Sequence, residues 1–224
     1  MRLALAAALA ILQLAACTTG EGSGWVRSDR LIATNCWDGP FDLGPTFFAS
    51  DPFQDTQQIR IQRGDKLVGN SDGVLLVVND VSKIRGQQLD QPIPLGLPIA
   101  VTPPGQPRRV GSPPQVSLSL YLNDTCHAQN PTLDSVGGTI TFHSLFSGNR
   151  NETNADQRLT DAEFEAVVVD PRDLSVQPGA GAADGGVDAG SGDGGGSAGA
   201  NSESTVTGQF HFFFQRGIPA QPFP

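Results

Sequence analysis

Lysine, tyrosine, methionine and cysteine are all scarce in this chain: two Lys, one Tyr, one Met and three Cys among 224 residues. Basic residues total 14 against 23 acidic ones, a formal charge of −9. A field of that sign repels phosphate backbones and anionic lipid headgroups, which disfavours nucleic acid as a partner. Metal cations and basic partners stay compatible with it, although an acidic surface also serves solubility alone. No apolar run reaches the ~20 residues that a membrane-spanning helix needs. The H-E-x-x-H signature is missing and no motif implies a cofactor. The G-x-S-x-G spacing occurs as "GNSDG" at 69–73 and again at 195–199 in the Gly-rich stretch, and the first reads as turn chemistry ahead of an apolar run rather than as a strand-to-helix elbow. What remains, at 38% hydrophobic residues, is enough for one globular domain but not for two independent cores.

The chain begins with Arg2 and an apolar run from Leu3 to Leu14 broken only by Gln13, the pattern of an export signal over residues 1–16. "LAAC" at 14–17 places small residues directly before a cysteine. It resembles the bacterial lipobox through Leu14, Ala15, Ala16 and Cys17. That resemblance implies lipidation of the Cys17 thiol, an anchor in the cell envelope and, with Thr18 rather than Asp after the cysteine, the outer membrane. It covers the leader alone and implies nothing about the domain. The alternative is an ordinary cleaved signal with a chance cysteine. Residues 17–28, small, polar and Gly-rich, read as a flexible tether.

With Cys17 carrying lipid, Cys36 and Cys126 are left as one pair in an oxidising compartment, which predicts a disulfide. The competing reading is a reactive thiol or a metal site using His127 beside Cys126.

Residues 29–224 read as one all-β domain, because short Val, Ile, Thr and Phe segments recur between Gly, Pro, Asn and Asp clusters. "TQQIRIQRG" (56–64) alternates Ile59 and Ile61 against Arg60 and Gln62, as a half-buried strand does. "VLLVVND" (74–80) is a continuous apolar run suited to burial on both faces. "VSLSLYLND" (116–124) sets Val116, Leu118, Leu120 and Leu122 against Ser117, Ser119 and Tyr121. Ile140, Phe142 and Phe146, with Phe210, Phe212 and Phe214, are predicted to centre the core. "RLTDAEFEAVVVD" (158–170) carries a capping-box pattern at Thr160 and Glu163 but alternates through Ala162, Phe164, Ala166 and Val168, so a strand with a helical turn at its start is expected.

Two stretches break the pattern. Eight prolines between Gln91 and Pro114 predict loop or edge strand, since proline cannot donate to a ladder. Arg108 and Arg109 there read as a solvated loop tip. Residues 175–203 are Gly/Asp-rich with almost no apolar mass and are expected to be disordered before the last strand. The whole is therefore expected to be a single β-sandwich of roughly seven to eight antiparallel strands.

Candidates for chemistry are few. His143 and His211, each on a predicted strand, could be brought together by neighbouring strands and completed by Asp170 as a zinc site, against the plainer reading of hydrogen-bonded structural histidines. Asp184, Asp188 and Asp193 lack the register of Ca²⁺-binding repeats. Asp72 with Asn70, and Asn123 with Asp124, suit either a Ca²⁺ loop or Asx turns without an ion. Glu163 and Glu165 sit two apart on one strand face, where a wet side is commoner than a glycosidase pair. Trp25, Trp37 and Tyr121 read as exposed but too scattered for a sugar platform, with Trp37 shielding the disulfide. The expectation is a lipid-anchored, non-enzymatic binding or structural module with an envelope protein or polysaccharide partner. An exported hydrolase or metal enzyme, and a carbohydrate-binding module, are the alternatives.

Overall fold

A computed structural model describes residues 21–64, 68–102, 111–174 and 202–214. The signal segment, Cys17, the Arg108–Arg109 pair and residues 175–201 of the Gly/Asp-rich stretch lie outside the described residues. The strands are β1 (Glu21–Ala33), β2 (Trp37–Leu43), β3 (Phe47–Phe53), β4 (Thr56–Gln62), β5 (Asp72–Asn79), β6 (Pro92–Pro94), β7 (Val116–Leu122), β8 (Thr132–Ser144), β9 (Leu159–Val169) and β10 (Ser204–Phe213). One short helix, α1, follows β5, as an α-turn over Val81–Lys83 that continues with wider π-type bonding over Ile84–Gln88. Among the described residues no helix is long and apolar enough to cross a membrane.

The fold is all-β and antiparallel, as the alternation predicts. The strands do not divide into two sheets, however. They form one ten-stranded sheet in the order β2-β1-β10-β9-β8-β7-β5-β4-β3, with β6 attached to β8. β8 makes this continuity possible. Its first residues, Thr132–Asp134, pair with β7, and Thr139–Thr141 pair with β6, while β9 runs along the other side. The register of β8 on β9 slips between Ser135 and Gly137. Gly138 follows at φ +101°, where a Cβ would lie 2.1 Å from the Glu165 carbonyl oxygen. Such a bulge bends a strand and lets one sheet turn a corner that would otherwise separate two.

The sheet must curl. β2 and β3 are its opposite edges, eight strand steps apart, or roughly 38 Å if flat. Yet only residues 44–46 join them, and the four Cα steps from Leu43 to Phe47 reach about 15 Å at most. Curling folds the inner face onto itself: the Phe48 ring on β3 stacks on Phe212 of β10 with centroids 5.6 Å apart. Val26, Ile59, Leu76, Leu118, Phe142 and Val206 are fully buried in the resulting core.

Several sequence expectations change in the folded chain. Residues 21–28, read as part of a tether, belong to β1, with Val26 completely buried. The glycines there serve close approach rather than flexibility, since a Cβ on Gly22 would fall 2.4 Å from the Phe212 Cβ. Arg60 and Gln62, expected on a wet face, are fully buried, and Tyr121, read as exposed, is buried as well. The outer face of β3, β4, β5 and β7 is thus covered: the Arg60 guanidinium lies 4.8 Å from the Phe47 ring centroid, and the Tyr121 hydroxyl donates to Gln62 Oε1 at 3.0 Å. Tyr121 lies against Gly73, where a Cβ would come within 2.4 Å of its hydroxyl oxygen. Phe146 falls beyond the end of β8 and stacks on Phe214 at 4.3 Å, outside the main core cluster. β9 is a strand as expected, but Thr160 and Glu163 lie within it rather than in a helical turn, and the one turn near it, Asp156–Arg158, precedes it. Among the described residues the proline-rich segment contributes the three-residue β6 and a single bridge at Leu95.

Candidate functional site

Cys36 and Cys126 are bonded, with Cα atoms 5.9 Å apart. β1 and β7, which flank them, are four strand steps apart in the sheet, about 19 Å if flat. The bond therefore spans the end of the curl, from the β1–β2 turn to the β7–β8 loop. That loop is held by Asp72, whose carboxylate accepts from the Asp124 and Thr125 backbone N–H groups, each at 3.0 Å, and from the Thr125 hydroxyl at 2.5 Å. Asn123 Nδ2 donates to the Val68 carbonyl oxygen at 2.9 Å. These contacts place Asp72 and Asn123 in loop structure made by the chain itself. His127 is exposed beside the Asp124 carbonyl oxygen, 3.0 Å from it. Trp37 packs half-buried against the core.

The set His143, His211 and Asp170 does not form. Asp170 is buried near the far end of β9, where it accepts from the Arg172 backbone N–H and pairs bidentately with the Arg172 side chain. It lies nine residues along the chain from Asp161, roughly 30 Å in extended strand. Among the described residues no three His, Cys, Asp or Glu side chains gather as a metal site.

The two histidines do converge, on opposite sides of Asp161. β10 pairs His211 with Asp161, and β8 places His143 at a register slip between Phe142 and Ser144, opposite Ala162 and Asp161. His211 Nδ1 lies 3.2 Å from Asp161 Oδ2, and His143 Nδ1 lies 2.7 Å from Asp90 Oδ1. The hydrogen bond to Asp90, with the fields of Asp161 and Glu163 added, raises the His143 pKa above the ordinary imidazole value. Among the described residues neither histidine is hydrogen-bonded to a Ser, Thr or Cys side chain, and Ser23 of β1 stands opposite His211.

Around this pair extends the open half of the outer surface. β9 presents Asp161, Glu163 and Glu165 outward while Ala162, Phe164 and Ala166 are buried. Gln209 and Thr207 of β10 face Glu163 and Glu165 from one side, and Thr141 and Thr139 of β8 face them from the other. Trp25 of β1 is opposite Gln209. Between these strands lies a depression of about 310 Å³ lined by Trp25, Thr139, Glu163, Glu165 and Gln209. A second, of about 260 Å³, adjoins it through Glu163 and Gln209 and reaches His143 and His211. A third, of about 450 Å³, adjoins it through Thr207 and reaches Arg27 and Arg30. Both arginines are committed, Arg27 to Asp42 at 3.1 Å and Arg30 to Asp38 at 2.7 Å. Glu163 and Glu165 make no ion pair among the described residues. Both project outward from one strand, rather than from separate elements facing each other across a cleft as a retaining glycosidase pair does.

The sequence pairs His143 with His211 and Glu163 with Glu165 but gives no reason to join the two pairs with Trp25, because β1, which sets Trp25 beside Gln209, comes from the opposite end of the chain. Gln209 and Thr207 it passes over entirely; their signal was the strict alternation of β10, whose outward set is Thr205, Thr207, Gln209 and His211. No protein-family model, curated protein or solved structure matches the chain.

Proposed function

We propose that the protein is a lipid-anchored module of the bacterial cell envelope, attached through Cys17 to the outer membrane, that binds a partner on the outer face of β8, β9, β10 and β1 without catalysing a reaction. The observation that carries the binding face is the asymmetry of the sheet's outer surface. On one half Arg60, Gln62 and Tyr121 are buried; on the other Glu163, Glu165, Gln209 and His211 stand in solvent around connected depressions. Polar groups that converge in a concave site are the ordinary makings of recognition. The anchor rests on the "LAAC" leader and on the Cys36–Cys126 bond, which suits an oxidising compartment.

Replacing Cys17 by Ala tests the address. The variant is expected to lose labelling by a radioactive fatty acid and to leave the membrane fraction for the soluble periplasm or medium. Retention in the membrane at wild-type level would refute the anchor.

A further inference from the structure

We infer that the open face takes an extended polypeptide bearing arginine or lysine at alternate positions, with one cationic side chain seated between Trp25, Glu163 and Glu165. The inference rests on the reading of this face as a binding surface and adds the chemistry of the occupant.

Charge complementarity carries it. Glu163 and Glu165 are exposed, carry no ion pair among the described residues, and share a depression that no Lys or Arg lines. Arg27, which lies over the Trp25 ring, is held by Asp42. An aromatic ring beside two carboxylates suits an ammonium or guanidinium group, which gains from the ring face and from charge-assisted hydrogen bonds together. Trp25 already receives a guanidinium, with the Arg27 carbon 5.2 Å from its ring centroid.

Spacing adds a second constraint. Carboxylates two residues apart on a strand project about 6.7 Å from each other, the same interval as alternate side chains of an extended peptide. The three depressions follow one another along β10 through shared residues, from His211 to Thr205. The six steps of strand between them make a track of roughly 20 Å, enough for about six residues of extended chain. Gln209, Thr139, Thr141 and Thr207 supply neutral donors and acceptors for the peptide's own backbone groups. An acidic or phosphorylated ligand meets like charge at Asp161, Glu163 and Glu165 of β9.

The test uses the full mature chain in mild detergent and four probes: the hexapeptide Arg-Ser-Arg-Ser-Arg-Ser, its Glu-Ser counterpart, a cello-oligosaccharide and a glucosamine oligomer, each followed by calorimetry. The arginine peptide alone is expected to bind, with affinity falling about tenfold or more between low and high salt. The double variant Glu163→Gln/Glu165→Gln is expected to weaken it about tenfold or more at an unchanged melting temperature. Asp51→Asn, a carboxylate change on β3 away from this face, is expected to leave affinity unchanged. Equal affinity of the double variant and the wild type would overturn the inference. Binding of either oligosaccharide with the peptide silent would overturn the peptide and leave a binding module standing. Silence of all four probes would overturn the inference too, and photo-crosslinking from Thr139 in intact cells judges the binding face independently of any probe.

Discussion

Asp134 shows how one interior charge sets a pH dependence. It is buried on β8, accepts the Ser119 hydroxyl at 2.6 Å, and lies near the carboxylate of Asp170. Burial, partly offset by the Ser119 bond and reinforced by Asp170, pushes its pKa up to about 6. Since the folded value lies above the unfolded one, its contribution to stability is fully present below about pH 4 and is lost as the pH rises through about 6. Asp134→Asn keeps the acceptor for Ser119 and removes the charge. It is expected to be close to neutral at pH 4 and to stabilise by about 2 kcal/mol at pH 8, measured by urea unfolding at both pH values. A difference that does not vary with pH would contradict this account of Asp134. Single residues were only partly legible in the sequence. Ile59, Leu118 and Phe142 are buried as the alternation predicts, because a side chain on the apolar side of a strand faces the core. Arg60 and Tyr121 deceive because alternation separates two faces without telling whether the polar one is covered.

β8 is the element on which the fold turns. It lends one end to β7 and the other to β6, and it delivers His143 and Thr139 to the open face. Gly138 permits this at φ +101° with the Glu165 carbonyl pressed where a side chain would stand. Gly138→Ala is expected to cost roughly 2 to 4 kcal/mol, from an unfavourable backbone conformation and a clash with β9 together. Guanidinium denaturation measures it, and an unchanged midpoint would show that the bend does not depend on glycine. Strict alternation made β7 and β9 readable. β1 was not, since "GEGSGW" has the composition of a linker, and its small residues acquire meaning only beside Phe210 and Phe212 on β10. Glycine that admits a neighbouring strand and glycine that loosens a tether look the same in one sequence.

For the molecule as a whole, the Cys36–Cys126 bond closes a loop of 90 residues across the end of the curled sheet. In the chain-entropy account such a closure is worth about 4 to 5 kcal/mol. Guanidinium unfolding with and without reductant is expected to differ by that order, and coincident curves would mean the curl is held by packing alone. The all-β class and the cysteine pair could be read from composition and spacing. Strand order could not be read in full, because β10 pairs with β1 from the opposite end of the chain, and β6 leaves the path to attach to β8 while β5 pairs with β7. The open face exists only through that order. Its role is tested most directly in intact cells, with a photo-reactive phenylalanine placed either at Thr139, on the rim of the central depression, or at Phe53, which is 70% exposed on the β3 edge and lines none of the three depressions. Irradiation is predicted to give a discrete envelope adduct from position 139 and none from position 53. An adduct from position 53 alone, or from neither position, would contradict a binding role for the open face.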